Sequence, residues 1–171
     1  MNAEQLKAVQ TPLKDKYRSD PASALITLRA TGRATSDLVC KVETGKALVD
    51  AGLHPATGGD GVAACSGDML LEALVACAGV TLRAVATSIG VDLRDARLSA
   101  EGDLDFRGTL GVAKDAPVGF AAIRLRFELD TDADESQRAT LIRLTERYCV
   151  VLQTLRQPPK ISVEHARVLG P

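Results

Sequence analysis

The chain has 171 residues, of which 46% are hydrophobic and 3% aromatic, and its formal net charge is −1. That length suits one domain, or one domain with a terminal extension, and lets about 70% of the unfolded surface be buried without a covalent staple. Near-neutral charge without a basic stripe argues against nucleic acid. No basic amphipathic helix or lipidation signal points to a membrane, and MNAEQLKAVQ lacks the apolar core of a secretory signal, which makes the cytoplasm the expected address.

Asn2–Arg18 reads as a polar surface helix in two pieces, with Pro12 in the first turn of the second and Ser19-Asp20-Pro21 closing it off. Residues 1–23 are therefore read as a helical extension and 24–171 as the main domain. Ala24–Arg33 alternates, with Ile26, Leu28 and Ala30 against Thr27 and Arg29, as a half-buried strand does. TGRATS then supplies turn chemistry and puts Arg33 at or close to the tip. Leu38–Glu43 alternates again, so a hairpin is predicted, with Cys40 on its aliphatic face as a packing residue. A third short strand is expected over Lys46–Asp50.

Gly52–Gly67 is a glycine-rich connection whose GGDG fits neither the phosphate-binding loop nor the dinucleotide fingerprint. It is expected to lie on the surface with His54 exposed, although loops of this length are uncommon without a function. Asp68–Ile89 is apolar on nearly every side and predicts a central buried helix of about six turns. Glu72 and Arg83 leave only Ala73–Leu82 uninterrupted, short of a membrane span. Gly90 is a natural stop.

Ala96–Ala100 reads as a strand, EGDLDFRGTLG as a polar reversal, and Phe120–Leu129 as a strand with Ile123, Leu125, Phe127 and Leu129 on one face. Acidic residues over Asp130–Glu135 suit a helix N-terminus. A helix from about Asp134 then carries Leu141, Leu144, Tyr148, Val151 and Leu155 in one stripe, with Cys149 beside it. Gln157-Pro158-Pro159 ends that helix, and Lys160–Leu169 is expected to close the fold as a strand. This order of elements is α+β with a mostly antiparallel sheet.

The four cysteines, at 40, 65, 77 and 149, form no C-x-x-C pair and, with two histidines, no zinc-ligand spacing. No cofactor motif is present. Cys77 and Cys149 each lie on a long apolar helix, and side-by-side packing of the two would let the thiols approach. Burial alone makes a thiol inert, so a reactive Cys77 needs a cation and an opening. Arg33 is a candidate cation; Arg83, six residues on and about 600° around the helix, faces away. Cys65 precedes the helix, where the dipole can activate a thiol, though a small packed residue is the simpler reading.

SGDMLLEALVACAGVTLRAVA, followed some seventy residues later by RYCVVLQTL, resembles the OsmC/Ohr family of thiol-dependent peroxidases from about Ala24 to Val168. The resemblance implies an OsmC-like fold with antiparallel sheets around a long central helix, in an intertwined homodimer with active sites at the interface. It also implies that Cys77 attacks an organic hydroperoxide and that Cys149 resolves the sulfenic acid as a disulfide. A dithiol, small or carried on a lipoyl-protein, then regenerates the enzyme. Arg33 matches the arginine that holds the thiolate. The family's usual glutamate is replaced by Gly67 and Asp68, and nine residues put Asp68 about 13 Å from Cys77 on the opposite side of a straight helix. Glu72 is a rival acid. Val150 and Gln153 replace the usual proline and basic residue, which marks a divergent branch.

Two other readings compete. One is a small-molecule binding or stress-related protein that uses the same interface cleft, with the cysteines as packing. The other is a metal site from His54 with Cys65 or Cys77, which rests on residue types alone.

Overall fold

A computed structural model describes residues 3–34, 40–42, 51–62 and 64–165. Its centre is a four-stranded antiparallel sheet in the order β2-β1-β5-β6, made of β1 (Leu25–Ala34), β2 (Cys40–Val42), β5 (Asp95–Asp105) and β6 (Phe120–Asp130). Two short strands, β3 (Ala51–Gly52) and β4 (Ala64–Cys65), pair in parallel beside it. The α+β, antiparallel expectation holds.

The long helix α2 (Ser66–Ile89) lies across one face of the sheet. Small residues on β5 let it come close: Ala96, Ala100 and Gly102 alternate with Leu98 along the inner face. A Cβ on Gly102 would stand 2.4 Å from the Phe120 ring, so glycine is required there. Leu71, Leu74, Val75, Ala78 and Leu82 of α2 meet this face in the main core. Gly90 ends the helix in the left-handed conformation that favours glycine (φ 69°). By length and composition alone α2 is long and apolar enough to cross a membrane, so interruption by charge is not what decides its place; half of its most apolar window is packed inside the protein. Arg83 is buried too and donates to the Leu93 carbonyl.

β5 extends beyond the expected reversal. Glu101 and Asp103 read as turn residues, but they stand on the solvent face, where Arg124 of β6 meets Asp103 at 2.5 Å and Glu101 at 3.5 Å. Thr27 of β1 donates to Asp103 from the other side at 2.7 Å. Alternation therefore continues through Leu104, and only then does the short helix α3 (Phe106–Thr109) begin, capped by Asp105.

The N-terminal segment is one helix, α1 (Ala3–Ser19), with Pro12 inside it rather than at a break. It is anchored by Tyr17, which is 3% exposed in a small second core with Ala24, Phe106 and Leu110. Tyr17 Oη donates to the Ala56 carbonyl at 2.7 Å and Gln10 Nε2 to the Thr57 carbonyl at 3.3 Å. These contacts outweigh the one backbone hydrogen bond that Pro12 removes.

The expected closing strand does not form over residues 160–165, where Ile161 and Val163 are 78% and 91% exposed. Alternation alone makes no strand without a sheet edge to pair with, and these residues meet none among the described residues. Residues 166–169, and the strand expected over Lys46–Asp50, lie outside the described residues.

Candidate active site

Helix α4 (Glu135–Tyr148) starts at a full capping box, in which Asp134 accepts from the Gln137 amide and Gln137 reaches back to the Asp134 amide. It ends at Cys149, whose backbone leaves the helical region (φ −71°, ψ 106°) before α5 (Val150–Arg156) begins. The sequence predicts one continuous helix here; the structure has an elbow. The buried line of α4 runs through Leu141 and Thr145 to Cys149, all 0% exposed, so Tyr148, expected in the buried stripe, is 57% exposed.

Two links span the elbow. Gln153 Nε2 donates to the Glu146 carbonyl at 2.7 Å, and Arg156 pairs with the Glu146 carboxylate at 2.9 Å. Gln153, one of the departures from the family phrase, thus has a bracing contact of its own. Neither proline nor glycine marks the break, which is why the sequence did not reveal it.

Cys149 meets Cys77. Both are free thiols, Cys77 is half-buried on α2, and the Cys149 thiol lies close enough to Cys77 to be perturbed by it. Burial pushes the Cys149 thiol up to about 11, and the neighbouring Cys77 pushes the same way. The nearby backbone amides of Leu152 and Val151 in the first turn of α5 pull against this. The pair thus couples an inner, protonated sulfur to an outer one. Beside it lies a cavity of about 360 Å³ lined by Leu74, Ile123, Leu125, Phe127, Leu152 and Leu155, with Glu146 and Arg156 at its polar end. It adjoins the thiols through Leu74, one turn before Cys77, and Leu152, whose amide meets Cys149.

The other candidates lie elsewhere. Asp68, half-buried in the first turn of α2, faces His54. Burial raises its carboxyl above the ordinary range, and the charge of His54 offsets part of that rise. His54 is not an exposed loop residue: its Nδ1 accepts from the Ala56 amide at 3.0 Å, and its ring stacks on Phe106 at 5.0 Å. Glu72 is half-buried between Asp68 and Cys77 along α2. Arg33 sits one residue before the end of β1, paired in register with Lys41 and Arg97, so the turn begins later than expected; its side chain lies outside the described residues. The same holds for the side chain of Cys40. Cys65 caps α2 without a side-chain hydrogen bond and packs on the main core. Among the described residues no group of three or more His, Cys, Asp or Glu is placed to hold a metal ion.

A family model described as OsmC-like protein matches residues 58–164. The chain belongs to the OsmC-like family. Its fold resembles the crystal structure of an OsmC-like hydroperoxide resistance protein from Jannaschia sp. CCS1, with 20% identity, 86% of this chain and 95% of that chain covered, and a TM-score of 0.56. It also resembles an OsmC-like protein from Mycoplasma pneumoniae, with 15% identity, 78% and 86% covered, and a TM-score of 0.55. Among curated proteins no sequence match is found. At these identities the solved structures speak for the OsmC-like fold alone. The family match begins at residue 58, so α1 and the His54 turn lie before it.

Proposed function

We propose that this OsmC-like protein is a cysteine-based peroxidase for organic hydroperoxides. The Cys77 thiolate attacks the O–O bond, giving a sulfenic acid and the alcohol. The Cys149 thiol then displaces water from that sulfenic acid and joins Cys77 as a disulfide, which a cytoplasmic dithiol reduces. The observation that carries this reading is the juxtaposition of Cys77 and Cys149 in one core, two residues 72 positions apart (149 − 77). Once peroxide has oxidised Cys77 to the sulfenic acid, Cys149 is near enough to close the disulfide with loss of water.

The reading includes a homodimer. Exposed apolar residues Met69, Leu70 and Val80 run along α2 with Ala73 and Ala84, on a face that no element of the described chain covers. Exposed Ile161 and Val163 add to the apolar surface available to a second copy. Cys77 borders the uncovered face, so the site would open at the subunit seam, where Arg33 holds the thiolate.

The test is peroxide consumption with an alkyl hydroperoxide and a dithiol donor, followed by peptide mapping of the oxidised protein. Wild type should turn over and yield a Cys77–Cys149 disulfide, and Cys77→Ser should fall to the uncatalysed rate. Sustained turnover with both thiols free would sink the reading. The cavity of about 360 Å³, with apolar side chains and a charged end at Glu146 and Arg156, favours a second reading, a small-molecule binding protein. Negligible rates with hydrogen peroxide, an alkyl hydroperoxide and a fatty-acid hydroperoxide alike would move the assignment there.

A further inference from the structure

The site has an inside and an outside, and this has a consequence for how it is reduced. Resting on the peroxidase reading, we infer that the reducing dithiol attacks the Cys77–Cys149 disulfide at Cys77, so that Cys149 is always the sulfur that leaves. Thiol–disulfide exchange depends on which sulfur is accessible and on how well the other leaves. Cys149 is 0% exposed and belongs to the main core with Leu141 and Leu74, whereas Cys77 is half-buried at the edge of the uncovered face of α2. The attacking sulfur must approach along the line of the S–S bond. From the Cys77 side that line comes in from the surface; from the Cys149 side it starts within packed side chains.

Burial pushes the Cys149 thiol up to about 11, which makes it the poorer leaving sulfur, so access alone sets the direction: a thiolate from the surface reaches Cys77 and not the fully buried Cys149.

The steps balance as a two-electron exchange. One thiolate of the dithiol bonds to Cys77, the S–S bond breaks, and its electron pair goes to Cys149, which takes up a proton. The second thiol of the reductant, having lost its proton, attacks the reductant's own sulfur in the mixed disulfide. Cys77 leaves as the thiolate, and the reductant departs as a cyclic disulfide. Throughout the first step Cys149 stays beside the mixed disulfide, where it can attack Cys77 again and expel the reductant. A reductant whose second thiol is tethered outruns that reversal; a monothiol does not.

The test uses the full-length protein, oxidised in one arm with an alkyl hydroperoxide and in the other with diamide. Each sample is mixed with equimolar glutathione, quenched in acid and mapped by peptide mass spectrometry. The expected result is glutathione on Cys77 with Cys149 free, in at least about tenfold excess over the reverse. Glutathione on Cys149, or spread evenly, overturns the inference. A second measurement guards against re-closure. Cys149→Ser loaded with glutathione on Cys77, and Cys77→Ser loaded on Cys149 during refolding, are each reduced by dithiothreitol. The Cys77 adduct should clear at least about ten times faster, and equal rates overturn the inference. A disulfide that forms with diamide but not with peroxide removes the peroxidase reading and leaves the direction of exchange testable. One that forms with neither overturns the inference itself.

Discussion

Two clusters flank α2, and they are built on opposite principles. Around its middle, Cys77 and Cys149 meet in an apolar core beside a cavity, with an elbow between α4 and α5 directing the inner sulfur. At its N-terminal end, Asp68, His54, Phe106 and Tyr17 form a polar-edged second core whose groups are nearly all engaged in holding one another. The first cluster has unspent reactivity, and the second has the geometry of a clamp. Residue type alone does not separate them, since a histidine and a carboxylate read as chemistry at least as readily as two cysteines. What separates them is whether a group's hydrogen-bonding capacity is already used. The Nδ1 of His54 is taken by the Ala56 amide, while the Cys149 thiol points at another nucleophile.

The largest expected effect breaks this comparison in both directions. Cys77→Ser should remove turnover and leave the unfolding midpoint close to wild type, because a hydroxyl in the same place still fits beside Cys149. Tyr17→Ala should do the reverse. It empties a buried aromatic site and drops the hydrogen bond to Ala56, at a cost of about 3–5 kcal/mol in stability, with the rate per folded molecule little changed. Denaturant unfolding and peroxide assays on both variants check the pair. Loss of turnover in fully folded Tyr17→Ala would mean that the clamp belongs to the site.

Next in size is a pH effect confined to one thiol. With Cys149 pushed up to about 11, its alkylation by iodoacetamide in the reduced native protein should stay low through pH 9 and rise only toward pH 11. The sign for stability follows from the same shift. An acid whose folded pKa is raised keeps its proton longer when folded, so stability declines as pH climbs from the unfolded thiol range toward 11. Peptide-resolved labelling across that range checks it, and rapid alkylation of Cys149 at neutral pH would contradict the buried, inner position.

Much of this was legible in the sequence, for identifiable reasons. Period-two alternation in β1 and β6, the apolar run of α2 and the Gly90 stop all report local physics, and all appear in the structure. The meeting of Cys77 with Cys149 was legible too, since two apolar helices had to share a core. What failed to show depended on partners distant in sequence. Glu101 and Asp103 looked like a turn until Arg124 and Thr27 were set opposite them. Pro12 looked like a break until Tyr17 found Ala56. The elbow at Cys149 carries no local breaker, and Ile161 and Val163 alternate as a strand does but find no edge among the described residues.

A smaller effect sharpens the role of Asp68. Its carboxyl is raised by burial, so, as with any acid raised on folding, the ionised form is the less favoured one in the folded state. The stability of wild type relative to Asp68→Asn should therefore fall as pH rises through the Asp68 titration. The charge of His54 and the N-terminus of α2 both favour the ionised form and limit the size of the trend. Thermal melts of both proteins from acid to neutral pH check the direction; an opposite slope would mean that Asp68 is held by a cation, as a site acid paired with arginine would be.

The smallest expected effect concerns the brace across the elbow. Arg156 and Glu146 are about half and two-fifths exposed, at 52% and 39%, so Arg156→Ala should cost under about 1 kcal/mol and less at high salt. Gln153 still donates to the Glu146 carbonyl in that variant, and it should keep Cys149 turned inward. The informative measurement is therefore the rate of disulfide closure after a peroxide pulse, compared for Arg156→Ala, Gln153→Ala and the double variant. If the two contacts jointly hold the elbow, each single variant closes nearly as fast as wild type, and the double variant is slower than the two single effects combined. Additive behaviour would instead mean that the backbone at Cys149 keeps its bend unaided, and that Glu146 and Arg156 matter only as the polar end of the cavity.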